Sequence, residues 1–267
     1  SLPMKKVKKG EGAYALVTGA SSGIGLQYAR QLAQRGYNLL MVSNEDSVHE
    51  RARDIASGFA KVSVRGLVLD LAETGAAESL HSYCAENGLQ VEVLVNNAGI
   101  YHNCDFLDDS WRFNSAIMLL HVYTPTMLMY LFGKDMAARG YGYILNMSSV
   151  TSAFSVQRIG IYCSTKAYLQ RISRSAHVEL SGRGVVVTCV RPGAVATDLY
   201  NLSSAARRLG LALGYITTPE RLAQRGLDAM FRGRSCLTPG LYTKLLDLLI
   251  RFVPTWALKL IRRWGIY

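Results

Sequence analysis

Tyr162 and Lys166 lie four residues apart, and Ser149 precedes the tyrosine by thirteen residues. A tyrosine titrates near ~10 in water, so a phenol that exchanges protons near neutral pH needs a neighbour that favours its ionised form. A lysine one helical turn away supplies a positive charge for that purpose, and a serine hydroxyl can hold a substrate oxygen. The three residues predict a carbonyl or alcohol oxidoreductase.

The tyrosine–lysine pair alone is weak evidence, because Tyr130 and Lys134 have the same spacing and such pairs commonly share a helix face. The residue thirteen positions before Tyr130 is Ile117, which offers no polar group. Ser149 instead ends the apolar run 143–149, which is typical of a buried strand that delivers its hydroxyls at its carboxyl end. The serine therefore favours Tyr162 over Tyr130.

A glycine-rich segment near the amino end predicts a phosphate-binding turn. An apolar strand candidate, 14–17, precedes it, and a helical pattern follows Gly25. Glycines let the backbone approach a pyrophosphate, and the start of the following helix offers free N–H groups. The spacing of Gly19, Gly23 and Gly25 differs from the G-x-G-x-x-G fingerprint, so the residues alone leave open a tight turn that binds nothing.

The motifs and their order resemble the short-chain dehydrogenase/reductase family from Tyr14 to about Gly240. Further matching motifs are Asp70 after the third predicted strand, Asn-Asn-Ala-Gly at 96–99 after the fourth, and Pro192, Gly193 and Thr197 after the sixth. The basic start and long carboxyl tail are most similar to the branch of 3-oxoacyl and 17β-hydroxysteroid reductases. The resemblance implies a single doubly wound, Rossmann-type α/β domain, with a parallel sheet, helices on both faces and a C-terminal helical extension.

The resemblance also implies a role for each site residue. Tyr162 is expected to be the general acid in reduction and the general base in oxidation, Lys166 to hold the nicotinamide ribose, and Ser149 to orient the carbonyl. No metal is expected in this chemistry. The expected cofactor contacts are Gly19, Ser21, Ser22, Gly23, Ile24, Gly25, Ser43, Asn44, Asp70, Leu71, Asn97, Ala98, Gly99, Tyr162, Lys166, Pro192, Gly193, Val195 and Thr197.

One position departs from the family pattern. The family usually has an asparagine where this chain has His121, twenty-eight residues before Ser149, and that asparagine bends a helix and holds a water in the proton path. Asn114 lies seven residues too early to take this role. Three readings stay open: His121 substitutes through its backbone carbonyl or its ring, the relay is altered, or the histidine is simply packed in a buried helix.

Cofactor choice depends on the end of the second predicted strand, where an acid would accept bonds from a free ribose 2′-hydroxyl and repel a 2′-phosphate. This chain has Ser43 and Asn44 there, with Glu45 only beyond them. The missing acid at Ser43 favours NADP(H), whereas the missing arginine at Asn44 weakens that case. Arg51 and Arg53 are interpreted as surface residues of the next helix.

Composition supports one domain with basic ends. The chain has 267 residues, of which 49% are hydrophobic, enough to bury one large core. We expect a basic N-terminal segment at 1–12, the dinucleotide-binding and catalytic domain at 13–240, and a basic amphipathic tail at 241–267. Five scattered cysteines indicate a reducing, cytoplasmic setting. The net charge of +11 gathers at the ends and is accompanied by no nucleic-acid-binding signature, so no nucleic acid is expected.

The segments expected to close over the nicotinamide are 101–106, 153–159 and the insertion 199–216, which is rich in leucine. An apolar lid predicts a hydrophobic ketone or alcohol as substrate, such as a 3-oxoacyl thioester, a sphingoid ketone or a sterol. Two alternatives of a different class stay open: a non-catalytic protein that senses NADP(H), and a membrane-surface binding protein of the same fold.

Two apolar stretches raise the question of membranes and partners. The uncharged stretch from Phe113 to Gly133 is long enough to span a membrane, but its polar residues and the resemblance predict a helix packed on the sheet and on a partner subunit, in a homodimer or homotetramer. No cleavable signal peptide is predicted. The tail 241–267 can lie at a membrane surface through its apolar and basic residues, or pack on its own domain or a partner.

Overall fold

The computed structural model describes residues 12–153, 157–195 and 216–240, together with residues 254, 256 and 259. The strands are β1 (Tyr14–Thr18), β2 (Asn38–Ser43), β3 (Val64–Val68), β4 (Val91–Asn96), β5 (Gly142–Met147), β6 (Val185–Val190), β7 (Ala194–Val195), β8 (Ile216–Thr217) and β9 (Cys236–Leu237). The α-helices are α1 (Gly23–Gln34), α2 (Ser47–Gly58), α3 (Ala76–Glu86), α4 (Trp111–Met118), α5 (Thr124–Arg139), α6 (Gly160–Ser181) and α7 (Pro219–Phe231). The N-terminal residues 1–11, the lid residues 199–215 and most of the tail lie outside this description.

Seven strands form one parallel sheet in the order β3-β2-β1-β4-β5-β6-β9, and β7 pairs with β8 separately. The chain builds one half of the sheet outward from β1 and then returns to β4 on the other side. The helices that follow β1 and β4 consequently lie on opposite faces of the sheet, which leaves a crevice at the carboxyl ends of these strands. The predicted doubly wound parallel sheet is confirmed.

Both faces of the sheet are covered by helices. Alternate side chains of a strand point to opposite faces, so Ala15 and Val17 of β1 join the core under α1, α2 and α7, whereas Leu16 joins the core under α3 and α5. This burial on both sides explains why the strands are almost entirely apolar in sequence.

The apolar run 143–149 is strand only as far as Met147. Ser148 N–H still donates to Val190 O at 2.8 Å, but Ser149 belongs to a turn, since its carbonyl accepts from Ser152 N–H at 3.1 Å. A 3₁₀ turn, Val150–Ala153, follows directly. The two serines therefore follow the strand, a correction to the expectation that they end it.

The uncharged stretch forms the central part of a continuous helical segment, Trp111–Arg139, in which α4 and α5 are joined by a π-helical turn, Leu119–Tyr123. Within the described residues this segment is the one that length and composition would allow to cross a membrane, and 44% of its most apolar window is buried inside the protein. Helix α5 contacts β4 and β5. The expected packing of this helix on the sheet is therefore observed.

Candidate active site

A cleft of about 790 Å³ opens at the carboxyl ends of the central strands, within the range of small-molecule and cofactor sites. Most of the predicted cofactor contacts line it: Gly19, Ser21, Ser22, Gly23, Ile24, Ser43, Asn44, Asp70, Leu71, Asn97, Ala98, Gly99, Tyr162, Lys166 and Pro192. His121 and Ser148 also line it. The sequence did not indicate Gln27 and Glu220, which also line this wall. Glu220 lies far from the cofactor motifs in the chain, and Gln27 follows the glycine turn but belongs to no motif.

The glycine turn after β1 is joined to the loop after β4. Thr18 Oγ1 accepts from the N–H groups of Asn97 and Ala98, both at 3.0 Å, and Asn97 Nδ2 donates to Thr18 O at 3.0 Å. A Cβ at Gly25 would overlap the carbonyl oxygen of Gly19, so the turn can close only around a glycine. Thr18 has a structural role that the glycine spacing did not reveal, although its place at the end of β1 was a usable signal.

The residues of this turn fit a pyrophosphate. Gly19 has a φ of +64°, a conformation that favours glycine, and α1 begins at Gly23, which lines the cleft. The first N–H groups of a helix have no partner within the helix. Ser21 and Ser22 line the same wall. Backbone donors, a helix start and hydroxyls together form a site for phosphate groups.

The end of β2 supplies the far wall of the cleft. Ser43 is buried, its Oγ donates to Ser21 Oγ at 3.0 Å and accepts from Glu45 N–H at 3.2 Å. Asn44 is exposed beside it, and Asp70 Oδ1 caps its own loop by accepting from Ala72 N–H at 2.9 Å. The cation closest to this end by sequence, Arg51, pairs instead with Asp54 on the surface of α2 at 3.5 Å.

Lys166 is buried in α6, one turn after Tyr162, which is itself only 6% exposed. Its Nζ donates to Met147 O at 2.9 Å and lies 5.6 Å from the centre of the Tyr162 ring. Burial lowers the pKa of Lys166 to about 8, with the nearby Cys189 thiol acting in the opposite direction. At pH 7 the ammonium therefore keeps most of its charge beside the Tyr162 ring.

The second tyrosine–lysine pair, Tyr130 and Lys134, has a similar ring-to-ammonium distance but lies on the protein surface. Lys134 Nζ lies 5.2 Å from the centre of the Tyr130 ring, and Tyr130 is 59% exposed on α5. Neither residue of this surface pair is among the described residues that line the cleft. Burial, rather than spacing, distinguishes Tyr162 and Lys166.

Ser149 is buried directly after β5, and its Oγ accepts from Thr151 N–H at 3.2 Å and from the Thr151 hydroxyl at 3.0 Å. The described lining of the cleft includes Ser148 but not Ser149. The Ser148 hydroxyl is used within α6, donating to Lys166 O at 2.7 Å. The hydroxyl expected to meet a substrate therefore points to a partner two residues along its own turn.

His121 lies inside the π-helical turn and is 1% exposed. Its Nε2 accepts from Ile100 N–H at 3.1 Å, and its Nδ1 lies 3.2 Å from Thr165 Oγ1, which in turn donates to Tyr162 O at 2.8 Å. Burial and the charge of Lys166 hold the pKa of His121 well below its usual range. The ring thus joins the loop after β4 to the helix of Tyr162, a connection through Thr165 that the sequence did not indicate.

The remaining predicted contacts follow β6. Pro192 lines the cleft and its carbonyl accepts from Val150 N–H at 3.0 Å. Gly193 follows it, and Val195 ends the short strand β7. Thr197 lies outside the described residues.

Comparison with known proteins provides independent evidence about the family of this chain. The family model described as short chain dehydrogenase matches residues 13–208. Very-long-chain 3-oxoacyl-CoA reductase-A of Danio rerio is 32% identical over 193 residues, covering 70% of this chain and 60% of that protein. The very-long-chain 3-oxoacyl-CoA reductase-like protein At1g24470 of Arabidopsis thaliana is 29% identical over 274 residues, covering 97% of this chain and 84% of that protein.

A solved structure shows the same architecture. The short-chain dehydrogenase from Sphingobium yanoikuyae in complex with NADPH superimposes with a TM-score of 0.77 at 26% identity, covering 89% of this chain and 92% of that one. The match of the family model to most of the chain, with the sheet order and the glycine turn described above, leads to one assignment. The chain belongs to the short chain dehydrogenase family, a family of NAD(P)-dependent oxidoreductases.

Proposed function

We propose that this chain reduces the ketone of a hydrophobic, lipid-like substrate, or oxidises the corresponding alcohol, with Tyr162 as the acid or base. One observation carries the proposal: the Lys166 ammonium is buried between Met147 O and the Tyr162 ring at the wall of the cleft. A buried positive charge in that place has a strong effect on a neighbouring phenol, because the low local dielectric leaves it poorly screened.

In this proposal the Tyr162 hydroxyl is the group that exchanges a proton with the substrate oxygen. The reduced nicotinamide, when bound, supplies a hydride to the carbonyl carbon. Tyr162 gives its proton to the carbonyl oxygen, and the phenolate that remains is stabilised by the positive charge of Lys166. Oxidation runs through the same groups in reverse, with the phenolate accepting the proton of the alcohol.

Ser149 and His121 support Tyr162 in this proposal. Ser149 Oγ accepts in both of its bonds to Thr151, so its own proton can be donated to a substrate carbonyl, the orienting role expected for it. His121 acts as a positioning residue, since its neutral ring connects Ile100, in the loop after β4, to Thr165 on the helix of Tyr162. In this proposal His121 acts through the hydrogen bonds of its neutral ring and not through a positive charge.

Between the two nicotinamide cofactors, we propose that the chain prefers NADP(H) to NAD(H). Support comes from the absence of an acid at Ser43 and from the NADPH-bound short-chain dehydrogenase of similar fold. Asn44, Ser21 and Ser22 offer uncharged donors to a 2′-phosphate. We expect the preference to be modest, because the described lining of the cleft includes Glu45 and its one lysine or arginine is Lys166.

The substrate class follows from the wall near Tyr162 and from the names of the relatives. The ring of Tyr101 packs edge-on against Tyr162 with centres 5.2 Å apart, which places an aromatic surface beside Tyr162, where we expect the entrance for the substrate. Relatives named very-long-chain 3-oxoacyl-CoA reductases make a 3-oxoacyl thioester the first candidate, with a sphingoid ketone or a sterol as the others.

Assembly and location are part of the same proposal. Tyr123, Tyr130 and Tyr168 are exposed on the π turn, α5 and α6, and aromatic side chains of this kind are enriched at subunit interfaces. A homodimer or homotetramer in the cytoplasm, with the tail 241–267 in peripheral contact with a membrane, is consistent with these features. Membrane contact rests on the tail sequence alone.

A substrate panel tests the function. Purified protein and NADPH are incubated with a 3-oxoacyl-CoA, a sphingoid ketone and a steroid ketone, and NADPH absorbance is followed. Tyr162→Phe should reduce turnover by roughly 10²-fold or more while NADPH still binds, the usual scale of general acid catalysis. Tyr130→Phe is the matched control and should leave turnover unchanged.

The same experiment separates the alternatives. NADPH binding without turnover of any ketone would support a cofactor-sensing protein instead. Wild-type turnover in Tyr162→Phe would exclude Tyr162 as the acid. Flotation with anionic vesicles, for the full chain and for a chain ending at Gly240, tests the membrane-surface alternative, since only binding that depends on the tail would support it.

A further inference from the structure

Three side chains with metal-ligating atoms meet on the loop between β4 and α4, outside the cleft lining. They are His102, Cys104 and Asp109, and one ligand atom from each lies within 4.8 Å of the other two. His102 Nε2 and Asp109 Oδ1 are 3.6 Å apart. The group combines a nitrogen, a sulfur and an oxygen donor, which is unusual for a surface ion pair.

The distances suit a tetrahedral metal. Zinc bonds of 2.0–2.3 Å place neighbouring ligand atoms of a tetrahedron about 3.3–3.8 Å apart. The separation between His102 Nε2 and Asp109 Oδ1 already falls in that range. The Cys104 thiol needs to approach the other two by no more than about 1.5 Å, a movement within reach of side-chain rotation.

The chemistry of the donors selects the metal. Calcium and magnesium prefer oxygen ligands throughout, whereas a mixed set of imidazole, thiolate and carboxylate is typical of Zn²⁺. Three protein ligands leave a fourth position for water, as in open zinc sites.

Two of the ligands are held by contacts outside the cluster. The His102 ring packs against Phe113 with centres 4.9 Å apart. Asp109 Oδ1 accepts from Ser110 N–H at 2.8 Å, and its side chain is only 12% exposed. Outer contacts of this kind fix the orientation of metal ligands and reduce the entropy lost on binding.

The third ligand, Cys104, is held by Arg158, which lies just before α6. Cys104 N–H donates to Arg158 O at 3.1 Å, and the Arg158 guanidinium bonds Asn103 Oδ1 at 2.6 Å and Asp105 Oδ2 at 3.4 Å. Arg158 has a φ of +65°, and among the described residues it is the one non-glycine with positive φ. A residue in such a conformation persists only where the surrounding structure holds it. Through its bonds to Asn103 and Asp105, Arg158 fixes the backbone on both sides of Cys104.

We propose that His102, Cys104 and Asp109 bind a Zn²⁺ ion, with water as the fourth ligand. The ion has no part in hydride transfer. It fixes the entrance wall that begins at Tyr101, whose ring packs on Tyr162. On binding, the Cys104 thiol loses its proton to solvent and its sulfur bonds the metal as a thiolate, so affinity falls as pH is lowered.

Calorimetric titration tests the site. The purified full chain, freed of metal with a chelator that is then removed, is titrated with ZnCl₂ at neutral pH. We expect one equivalent to bind, and His102→Ala and Cys104→Ser each to weaken that binding by roughly tenfold or more. Cys236→Ser, at an exposed cysteine far from the loop in sequence, and His49→Ala are controls that should bind as the wild type does.

The absorption spectrum of bound Co²⁺ shows directly whether a thiolate is one of the metal ligands. Co²⁺ bound by the wild type and by Cys236→Ser should show a thiolate-to-metal charge-transfer band, and Cys104→Ser should lack it while keeping its circular dichroism spectrum. Two results overturn the proposal: no stoichiometric binding in the wild type, which would leave a surface ion pair only, or equal binding and an unchanged charge-transfer band in Cys104→Ser.

Discussion

His121 Nε2 accepts a hydrogen bond from the backbone N–H of Ile100 at 3.1 Å. A backbone amide can only donate, so this nitrogen carries no proton and the neutral ring has its proton on Nδ1, where it donates to Thr165 Oγ1. Protonation of the ring would break the bond to Ile100 and place a second charge near Lys166. The fold therefore requires a neutral histidine at this position.

Stability should fall as His121 becomes protonated in the unfolded chain. The folded pKa lies well below 6.5, so between that value and 6.5 only the unfolded state binds the proton, and stability decreases as pH is lowered. We expect the wild type to lose about 1.4 kcal/mol more than His121→Asn between pH 7.5 and 5.5, measured by denaturant unfolding. His49→Asn, at an exposed histidine, should retain the wild-type pH dependence. Parallel curves for the wild type and His121→Asn would contradict the neutral state.

Lys166 predicts a second pH effect, in the alkaline range. Its folded pKa of about 8 lies below the ordinary 10.5, so from pH 8 to 10.5 the unfolded chain holds the proton and the folded chain does not. Stability therefore rises with pH through this window. Relative to Lys166→Met, the wild type should gain about 2 kcal/mol between pH 8 and 10.

The control for this measurement is Lys134→Met, which removes an exposed lysine with the same tyrosine spacing. Its stability difference from the wild type should stay constant over the same range. A constant difference for Lys166→Met as well would show that the buried ammonium carries no penalty.

Local spacing was enough to predict which residues of the candidate site come together where they lie close in sequence or at strand ends. The glycine turn follows β1, and Tyr162 and Lys166 share one face of α6, so their proximity follows from helix geometry. The contacts of His121 are different, because Ile100 and Thr165 reach it only when the loop after β4 and α6 pack on the π turn. Hydrophobic periodicity does not predict a π-helical turn such as Leu119–Tyr123. No sequence motif indicates which loop packs against that turn.

Burial was the other quantity that spacing could not supply. Tyr130 and Lys134 match Tyr162 and Lys166 in sequence, and only the fold places one pair on the surface and the other in the cleft. The insertion residues 199–215 and most of the tail, on which the substrate and membrane expectations rest, lie outside the described residues, and those expectations stay predictions.

Gly25→Ala should disrupt the cofactor turn. The added methyl group would overlap Gly19 O and approach Asn97 Nδ2 to 2.6 Å, so the joined loops after β1 and β4 must separate. We expect NADPH affinity to fall by at least about tenfold in a fluorescence titration, equal to about 1.4 kcal/mol. Gly58→Ala is the control, because a methyl group there meets nothing within 4 Å. Unchanged NADPH affinity in Gly25→Ala would mean that the nucleotide does not use this turn.

Ser43→Asp tests the choice between the two nicotinamide cofactors. Ser43 ends β2 in the wall of the cleft, and its hydroxyl bonds Ser21 at 3.0 Å, so a carboxylate there would lie beside the expected position of the adenosine ribose. A carboxylate accepts hydrogen bonds from a free 2′-hydroxyl and repels a 2′-phosphate. We expect the wild type to bind NADPH more tightly than NADH and Ser43→Asp to reverse that order.

Titration of both cofactors into three further proteins completes this test. Ser57→Asp adds the same charge to the exposed surface of α2 and should keep the wild-type order, which separates local repulsion from net charge. Ser43→Ala removes only the hydroxyl bonds and should weaken both cofactors to a similar extent. Glu45→Gln should strengthen NADPH binding, because the carboxylate in the cleft lining opposes a 2′-phosphate. A wild-type preference for NADH, strengthened little by Ser43→Asp, would instead assign the adenosine pocket to NAD(H), with Glu45 as the residue that selects it.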